Sequence, residues 1–447
     1  LIRAATRPLP GEPDLPFLVA VAAILGGKDE ELARSALEEV QFDADAVARR
    51  LGELVRVATR PATPPASGGS ESGMRKLSAE RSVFEKLDAV LTSMRTATPL
   101  QFEADLCAAA LRGVLGDPAD LGPALLASYL QQRCGRLALA RAARDLALFL
   151  DPDLALKGEI ASLDAHSPPR AVAWSPTVAD HPLCRGPLRR VLRALAPALA
   201  EVSHAGGAPA EGAPLEPKAE AVFRELRDQL GAPVSRAVVR GAGADVTFAT
   251  TQPLTVVMGQ RAEGLEGAEL RFLVGRALEQ ARAGTLAVAR LSVATLRGLL
   301  RGVIRAVSLG SSDGEGAEQD SESDRASNWA SVLSQPQIAR LLPTGKVRAD
   351  LLVDAGEALT RPPDLEGYVR GCRYTADRVG LLCCGSPLVA LRALAGQFKH
   401  EGNSPAEEGA RERRERVRSS TAMRELIAFM LSDEYASLVE DQCDRSL

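Results

Sequence analysis

The chain has 447 residues, enough for two to four domains at roughly 100 to 200 residues each. A hydrophobic share of 46% excludes disorder of the whole, and an aromatic share of only 4%, with Ala, Leu and Val dominating, favours helices over sandwiches or barrels. Lys and Arg number 54 against 58 Asp and Glu, a net charge of −4, so the bulk electrostatic attraction that nucleic acid requires is missing. Seven cysteines without regular spacing do not make a disulfide framework and point to a reducing compartment, here the cytoplasm. The four histidines form no i,i+4 pair and no cluster with cysteine, so neither metal nor cofactor is expected. The longest uncharged apolar stretch, Leu15 to Gly27, is short for a bilayer of ~30 Å at 1.5 Å per residue and has no basic flank, so neither a span nor a signal peptide is expected. A segment preceding Leu1 remains open.

In chain order the pattern divides into helical hairpins over 1–60, a linker over 61–76, a helical region over 77–205, a second linker over 206–217, a different domain over 218–400 and a charged linker with a terminal docking helix over 401–447. Phe17 to Leu25, Asp29 to Val40 and Asp43 to Thr59 read as helices; in the last, Val47, Leu51, Leu54 and Val55 recur at helical spacing. Helices continue from Leu77, broken at Thr98-Pro99 and at Gly116-Asp117-Pro118. The segment LLASYLQQRCGRLALARAARDLALFLDPD, residues 125–153, resembles a tetratricopeptide repeat, a pair of antiparallel helices. The resemblance makes Gly135 the turn glycine, Ala140 and Ala147 the small contact residues and Pro152 the terminating proline. Tyr129 departs from it, standing six residues before Gly135 where the repeat has an aromatic about four before. An Ala/Leu-rich hairpin of no repeat ancestry is the alternative.

One helix, Leu188 to Val202, stands among Pro- and Gly-rich pieces before the second linker. Beyond Lys218 come a helix from Ala219 to Gly231 and three short β-rich stretches, Val234 to Arg240, Asp245 to Thr250 and Leu254 to Met258. The expected fold class is therefore mainly α, a helical-hairpin array followed by an α+β domain with a small antiparallel sheet. Helices over Gly267 to Ala283 and Leu286 to Leu309 follow, then a solvated acidic insert over 311–325. Near the end, Ser404 to Arg418 is a charged helix or linker, and Met423, Leu426, Ile427, Met430 and Leu431 mark one helix from Ala422 to Val439.

The succession ADVTFATTQPLTVVMG, ELRFLVGRALEQARAG and, after a long insert, RYTADRVGLLCCGSPLVALRAL resembles the zinc metallopeptidase family that includes HtpX and the CAAX prenyl proteases. That family carries an edge hairpin, a helix with HExxH, and a later helix whose ExxxD motif supplies the third ligand. In HExxH two histidines at i and i+4 reach one Zn²⁺, and the glutamate acts as general base on its water. Here the five positions hold Arg276, Ala277, Leu278, Glu279 and Gln280, and the third ligand is replaced by Arg373. Only Asp377 and the following Arg378 keep the family identity. A guanidinium has no lone pair to offer a cation, so the resemblance implies a pseudopeptidase.

Fixed charges at Arg276 and Arg373, one turn from Glu279 and Asp377, imply an ionic cluster with Gln280 in the place of the metal; the alternative leaves Arg276 or Arg373 in solvent and the cavity apolar. Arg290, Arg297, Arg301 and Arg305 share one face of the helix 286–309 and form either a basic interaction stripe or a solvated face. Gly310 to Gly314 matches GxSxG only by chance, Thr344-Gly345-Lys346 lacks the rest of a phosphate loop, and Cys383-Cys384 reads as packing. The expected function is a non-catalytic scaffold for protein partners, with no nucleic acid. Two other functions remain open: a hydrolase using Glu279 or Asp377 as acid or base, and a peripheral membrane scaffold using the basic helix.

Overall fold

The computed structural model describes residues 44–59, 102–152, 154, 179–204, 211–243, 245–249, 254–265, 267–288, 292–308, 321–361, 364–396 and 409–444. The expected helices before residue 43, the linker 61–76, Arg290 and residues 311–320 of the acidic insert lie outside them. Among the described residues the chain is mainly α-helical with one small sheet, and it divides into two compact units, Leu1–Ser167 with Glu401–Leu447, and Pro168–His400.

The first unit holds α1 (Ala44–Thr59), α2 (Phe102–Gly116), α3 (Leu121–Arg133) and α4 (Leu137–Leu150). Asp120 starts α3 by accepting from the Gly122 amide at 3.1 Å, and Gly135, at φ +75°, reverses the chain into α4. Val47, Leu51, Leu106, Leu125, Leu130, Leu139 and Leu146 are buried where α1, α2 and α4 pack around α3.

The second unit opens with a 3-10 turn (Pro182–Cys184) and α5 (Pro187–His204), followed by α6 (Pro217–Leu230) and strands β1 (Arg236–Val239), β2 (Val246–Ala249) and β3 (Thr255–Met258). It continues through α7 (Gln260–Glu263), α8 (Gly267–Arg282), α9 (Thr285–Val288), α10 (Val293–Ser308), α11 (Ser321–Leu333), α12 (Pro336–Ala339), α13 (Gly345–Thr360), α14 (Leu365–Cys384) and α15 (Pro387–Gly396). Leu192, Leu195, Leu299, Leu300, Val303, Leu351, Ala355 and Tyr368 form a core shared by α5, α10, α13 and α14. The chain then returns to the first unit as α16 (Ala410–Ser419), α17 (Thr421–Met430) and α18 (Asp433–Asp444), which pack on α4.

Five expectations need correction. The sheet is mixed rather than antiparallel: its order is β1-β3-β2, with β1 parallel and β2 antiparallel to β3. The cause is the glycine-rich connection after β1, which crosses the end of β3 instead of folding into a hairpin; the Gln260 and Arg261 amides bond to the Gly241 and Gly243 carbonyls at 2.9 and 3.0 Å. That crossing makes β3 central, and Thr255, Val256 and Met258 are all fully buried. The helix expected over 286–309 is two pieces, because Ser292 accepts from the Thr295 amide and starts α10 afresh. The acidic insert ends early, since residues 321–325 already belong to α11, which packs on α10 through Trp329 and Ala330 at Gly302. The expected terminal helix breaks at Ser432, whose hydroxyl accepts from the Tyr435 amide and caps α18. Finally, α5 packs within the second unit against α13 rather than with the helices before it, and Ala213, in the expected linker 206–217, bridges to Val239 on the free edge of β1.

Candidate functional site

The residues of the expected ionic cluster lie on α8 and α14, the most extensively packed helix pair among the described residues. Asp364 caps α14 by accepting from the Glu366 amide at 3.1 Å, and Gly385, at φ +65°, ends it. The two helices touch closely because neither Gly275 nor Gly380 has a side chain. A Cβ on Gly275 would lie 2.7 Å from Cys383 Sγ, and one on Gly380 would lie 2.9 Å from the Phe272 carbonyl oxygen.

Beside this crossing, Arg276 Nε stands 2.6 Å from Asp377 Oδ1, with the carboxylate side chain 2% and the guanidinium 23% exposed. Neither Asp377 oxygen receives an aligned hydrogen bond among the described residues, so proximity of charge holds this pair more than bond geometry. Burial pushes the Asp377 carboxyl above its usual range, opposed by Arg276 and, at longer reach, by Arg373. Arg373 itself is exposed, and Gln280 is half-buried with its backbone carbonyl accepting from the Thr285 hydroxyl at 3.2 Å. The structure thus brings Arg276 and Asp377 together and leaves Arg373 facing water.

Glu279, 1% exposed, belongs to a second ionic group. Arg282 donates to both its oxygens at 2.6 and 2.9 Å, and Arg189 of α5 donates at 3.1 Å. The same Arg189 Nη2 donates to Asp180 at 2.8 Å, and Arg193 lies 3.4 Å from the other Asp180 oxygen. Burial pushes the Glu279 carboxyl up against the pull of Arg282 and Arg189. Burial works to lower the Arg189 pKa, but Asp180, Cys184 and Glu279 raise it above the ordinary arginine value, so this guanidinium is a permanent buried cation. The sequence reading missed Arg189 and Asp180. Position alone did not single out Arg189, which lies at the border of the apolar arc formed by Leu188, Val191, Leu192 and Leu195, with Arg193 one turn further along the same edge of α5.

A thiol pair adjoins this group. Cys184 Sγ, closing the 3-10 turn, stands 3.0 Å from the Thr375 hydroxyl and 3.2 Å from the His181 carbonyl, while Arg189 Nη1 reaches Cys372 Sγ at 4.0 Å. A hydrogen bond from Cys372 brings the Cys184 thiol down to about 7 against burial, helped by Thr375 and Arg189, and the same bond pushes Cys372 up. The Thr375 hydroxyl accepts from the His181 amide and donates to the Gly371 carbonyl, both at 2.9 Å, fastening the turn to α14.

Chemically this is a charged lock without an exposed reactive group. Its carboxylates are buried and held by arginines, and Cys184 has no accessible surface. Of the three positions expected to hold ligands, two carry guanidinium groups, Arg276 and Arg373, and one carries the Gln280 amide, and Arg276 lies against Asp377, so the residues present do not fit a zinc ion. Among the described residues no group of three His, Cys, Asp or Glu is placed to share a metal. The basic stripe is partly used inside the fold: Arg297 is exposed, Arg301 and Arg305 are half-buried, and Arg305 donates to Ser327 of α11 at 2.9 Å. Among the described residues no helix is long and apolar enough to cross a membrane. Comparison with family models, with curated proteins and with solved structures returned no match.

Proposed function

We propose that the chain is a non-catalytic cytoplasmic scaffold, a pseudopeptidase that joins in one chain a metallopeptidase-like α8–α14 core and tetratricopeptide-like hairpins that bind protein partners. The observation that carries the reading is the Arg276–Asp377 contact at 2.6 Å. On the resemblance, Arg276 replaces the first histidine of HExxH and Asp377 is the retained carboxylate, so fixed positive charge stands where the metal would be gripped. Hairpin arrays such as α3–α4 present grooves to extended or helical segments, which makes binding the natural use of such a chain. The hydrolase reading is weaker, because an acid or base must meet its substrate and Glu279 and Asp377 are 1% and 2% exposed. Nothing observed favours the membrane reading.

Restoring the ligands tests the proposal. After dialysis, the triple variant Arg276→His, Gln280→His, Arg373→Glu is expected to retain one zinc per chain by elemental analysis, and the native chain none. Stoichiometric zinc in the native chain, or a peptidase activity lost on Glu279→Gln, would overturn the pseudopeptidase. A triple variant that folds but takes up no zinc would remove the metallopeptidase-like core.

A further inference from the structure

Two cysteines that neither the ionic lock nor the proposed function uses lie together in the first unit. Cys107, in the middle of α2, and Cys134, immediately after α3, have their sulfurs 3.1 Å apart, about one ångström more than a disulfide bond of ~2.05 Å. Their surroundings are unequal: Cys107 is 4% exposed and Cys134 is exposed. The Cys107 thiol points to the Leu130 carbonyl at 3.6 Å, the same oxygen that accepts the Cys134 amide at 3.0 Å, so one carbonyl orients both residues. Cys134 is the C-cap of α3, just before Gly135 at φ +75°, and the Cys134, Gly135 and Arg136 amides bond back to the Leu130, Gln132 and Gln131 carbonyls, which fixes the position of its sulfur over Cys107.

We infer that Cys107 and Cys134 are a reversible redox site that takes up low-molecular-weight disulfides, with Cys134 as the entry sulfur and Cys107 as the resolving one. In the first step the Cys134 thiolate attacks a disulfide RSSR: the Cys134–SR bond forms, the RS–SR bond breaks, and the leaving thiolate takes the proton lost by Cys134. In the second, the Cys107 thiolate attacks Cys134 Sγ, the Cys107–Cys134 bond forms and the second RSH departs with the Cys107 proton. The chain loses two electrons and two protons, and RSSR becomes two RSH. Burial keeps Cys107 from starting the reaction, and its position keeps the adduct on Cys134 short-lived.

The test treats the full chain with oxidised glutathione under native conditions, quenches free thiols by alkylation and maps the peptides by mass spectrometry. The expected product is an intramolecular Cys107–Cys134 link, reversed by dithiothreitol. Cys107→Ser is expected to stop at one glutathione adduct on Cys134, and Cys134→Ser to leave residue 107 reduced. A native chain that ends as a stable Cys134 adduct with Cys107 reduced, or with Cys134 joined to a different cysteine or a second chain, overturns the inference. That readout needs no variant, so misfolding of either serine substitution does not blunt it.

Discussion

Replacing Arg276 by methionine removes the cation from Asp377 while keeping most of the packing of the aliphatic stem. Asp377 then remains 2% exposed without the guanidinium 2.6 Å away. Breaking a buried pair by deleting one partner costs about 3–5 kcal/mol; because Arg276 keeps 23% exposure, its Coulomb gain is partly screened and the lower end, ~3 kcal/mol at pH 8, is expected. The cost depends on pH with a definite sign. The folded-state pKa of Asp377 is already raised by burial, and without Arg276, which lowers it, it rises further. Between the unfolded pKa and that raised folded value the native state holds the extra proton, so stability falls as pH rises, by up to ~1.4 kcal/mol per unit, and levels off above the folded pKa. At lower pH, where the raised carboxyl takes up its proton, the loss shrinks to about 1–2 kcal/mol. Urea unfolding followed by tryptophan fluorescence measures this for the right unit, since both tryptophans, Trp174 and Trp329, lie within 168–400. Adding Asp377→Leu is expected to return the protein to within about 1 kcal/mol of native. A loss that stays the same as pH is lowered from 8, or a double variant no better than the single one, would refute the reasoning.

Three further outcomes are expected. Absorbance at 240 nm should titrate one buried thiolate with a midpoint near pH 7 that disappears in Cys184→Ser and moves up in Cys372→Ser; because the folded pKa lies below the unfolded one, its stabilisation is lost as pH falls through about 7. Gly380→Ala should destabilise the second unit by about 1–3 kcal/mol through contact with the Phe272 backbone, whereas Gly356→Ala, in α13 with open space where its Cβ would stand, should stabilise by about 0.5–1 kcal/mol, both read from urea midpoints. Oxidation of Cys107 and Cys134, 27 residues apart, closes a loop whose entropy is worth about 3–4 kcal/mol at most, and hydrogen exchange of α2 and α3 should slow accordingly.

Local pattern made much of this fold legible. The alternation in Val246 to Ala249 and Leu254 to Met258 marks two strands of the hairpin, and the small residues around Gly135 mark the α3–α4 reversal. The breaks at Ser292 and Ser432 were hidden because the apolar periodicity runs on across them, and only a serine hydroxyl turned back to the chain stops the helix. Strand order was equally hidden: nothing in Gly241 to Asp245 says whether the chain folds beside β1 or crosses β3. At the site, Arg276 and Asp377 are expected near one another, and they are in contact at 2.6 Å, whereas Arg373 and Gln280 take no part in that pair. The partners of Glu279 were hidden, since Arg189 is 90 positions upstream and composition cannot say which of Arg189, Arg190 and Arg193 turns inward.

The placement of α16 to α18 on α4 constrains how the protein is made. On the ribosome, α1 to α4 are finished before any of 168–400 exists, yet the residues that cover them come last: Arg413 donates to the Phe149 carbonyl at 3.3 Å, and Met423 and Ile427 are buried only at the end. The inserted unit therefore has the whole interval of its own translation in which to fold, while the hairpins wait with one apolar flank bare. A nascent chain stalled near residue 400 would present that flank to chaperones, and release of the final helices would withdraw it.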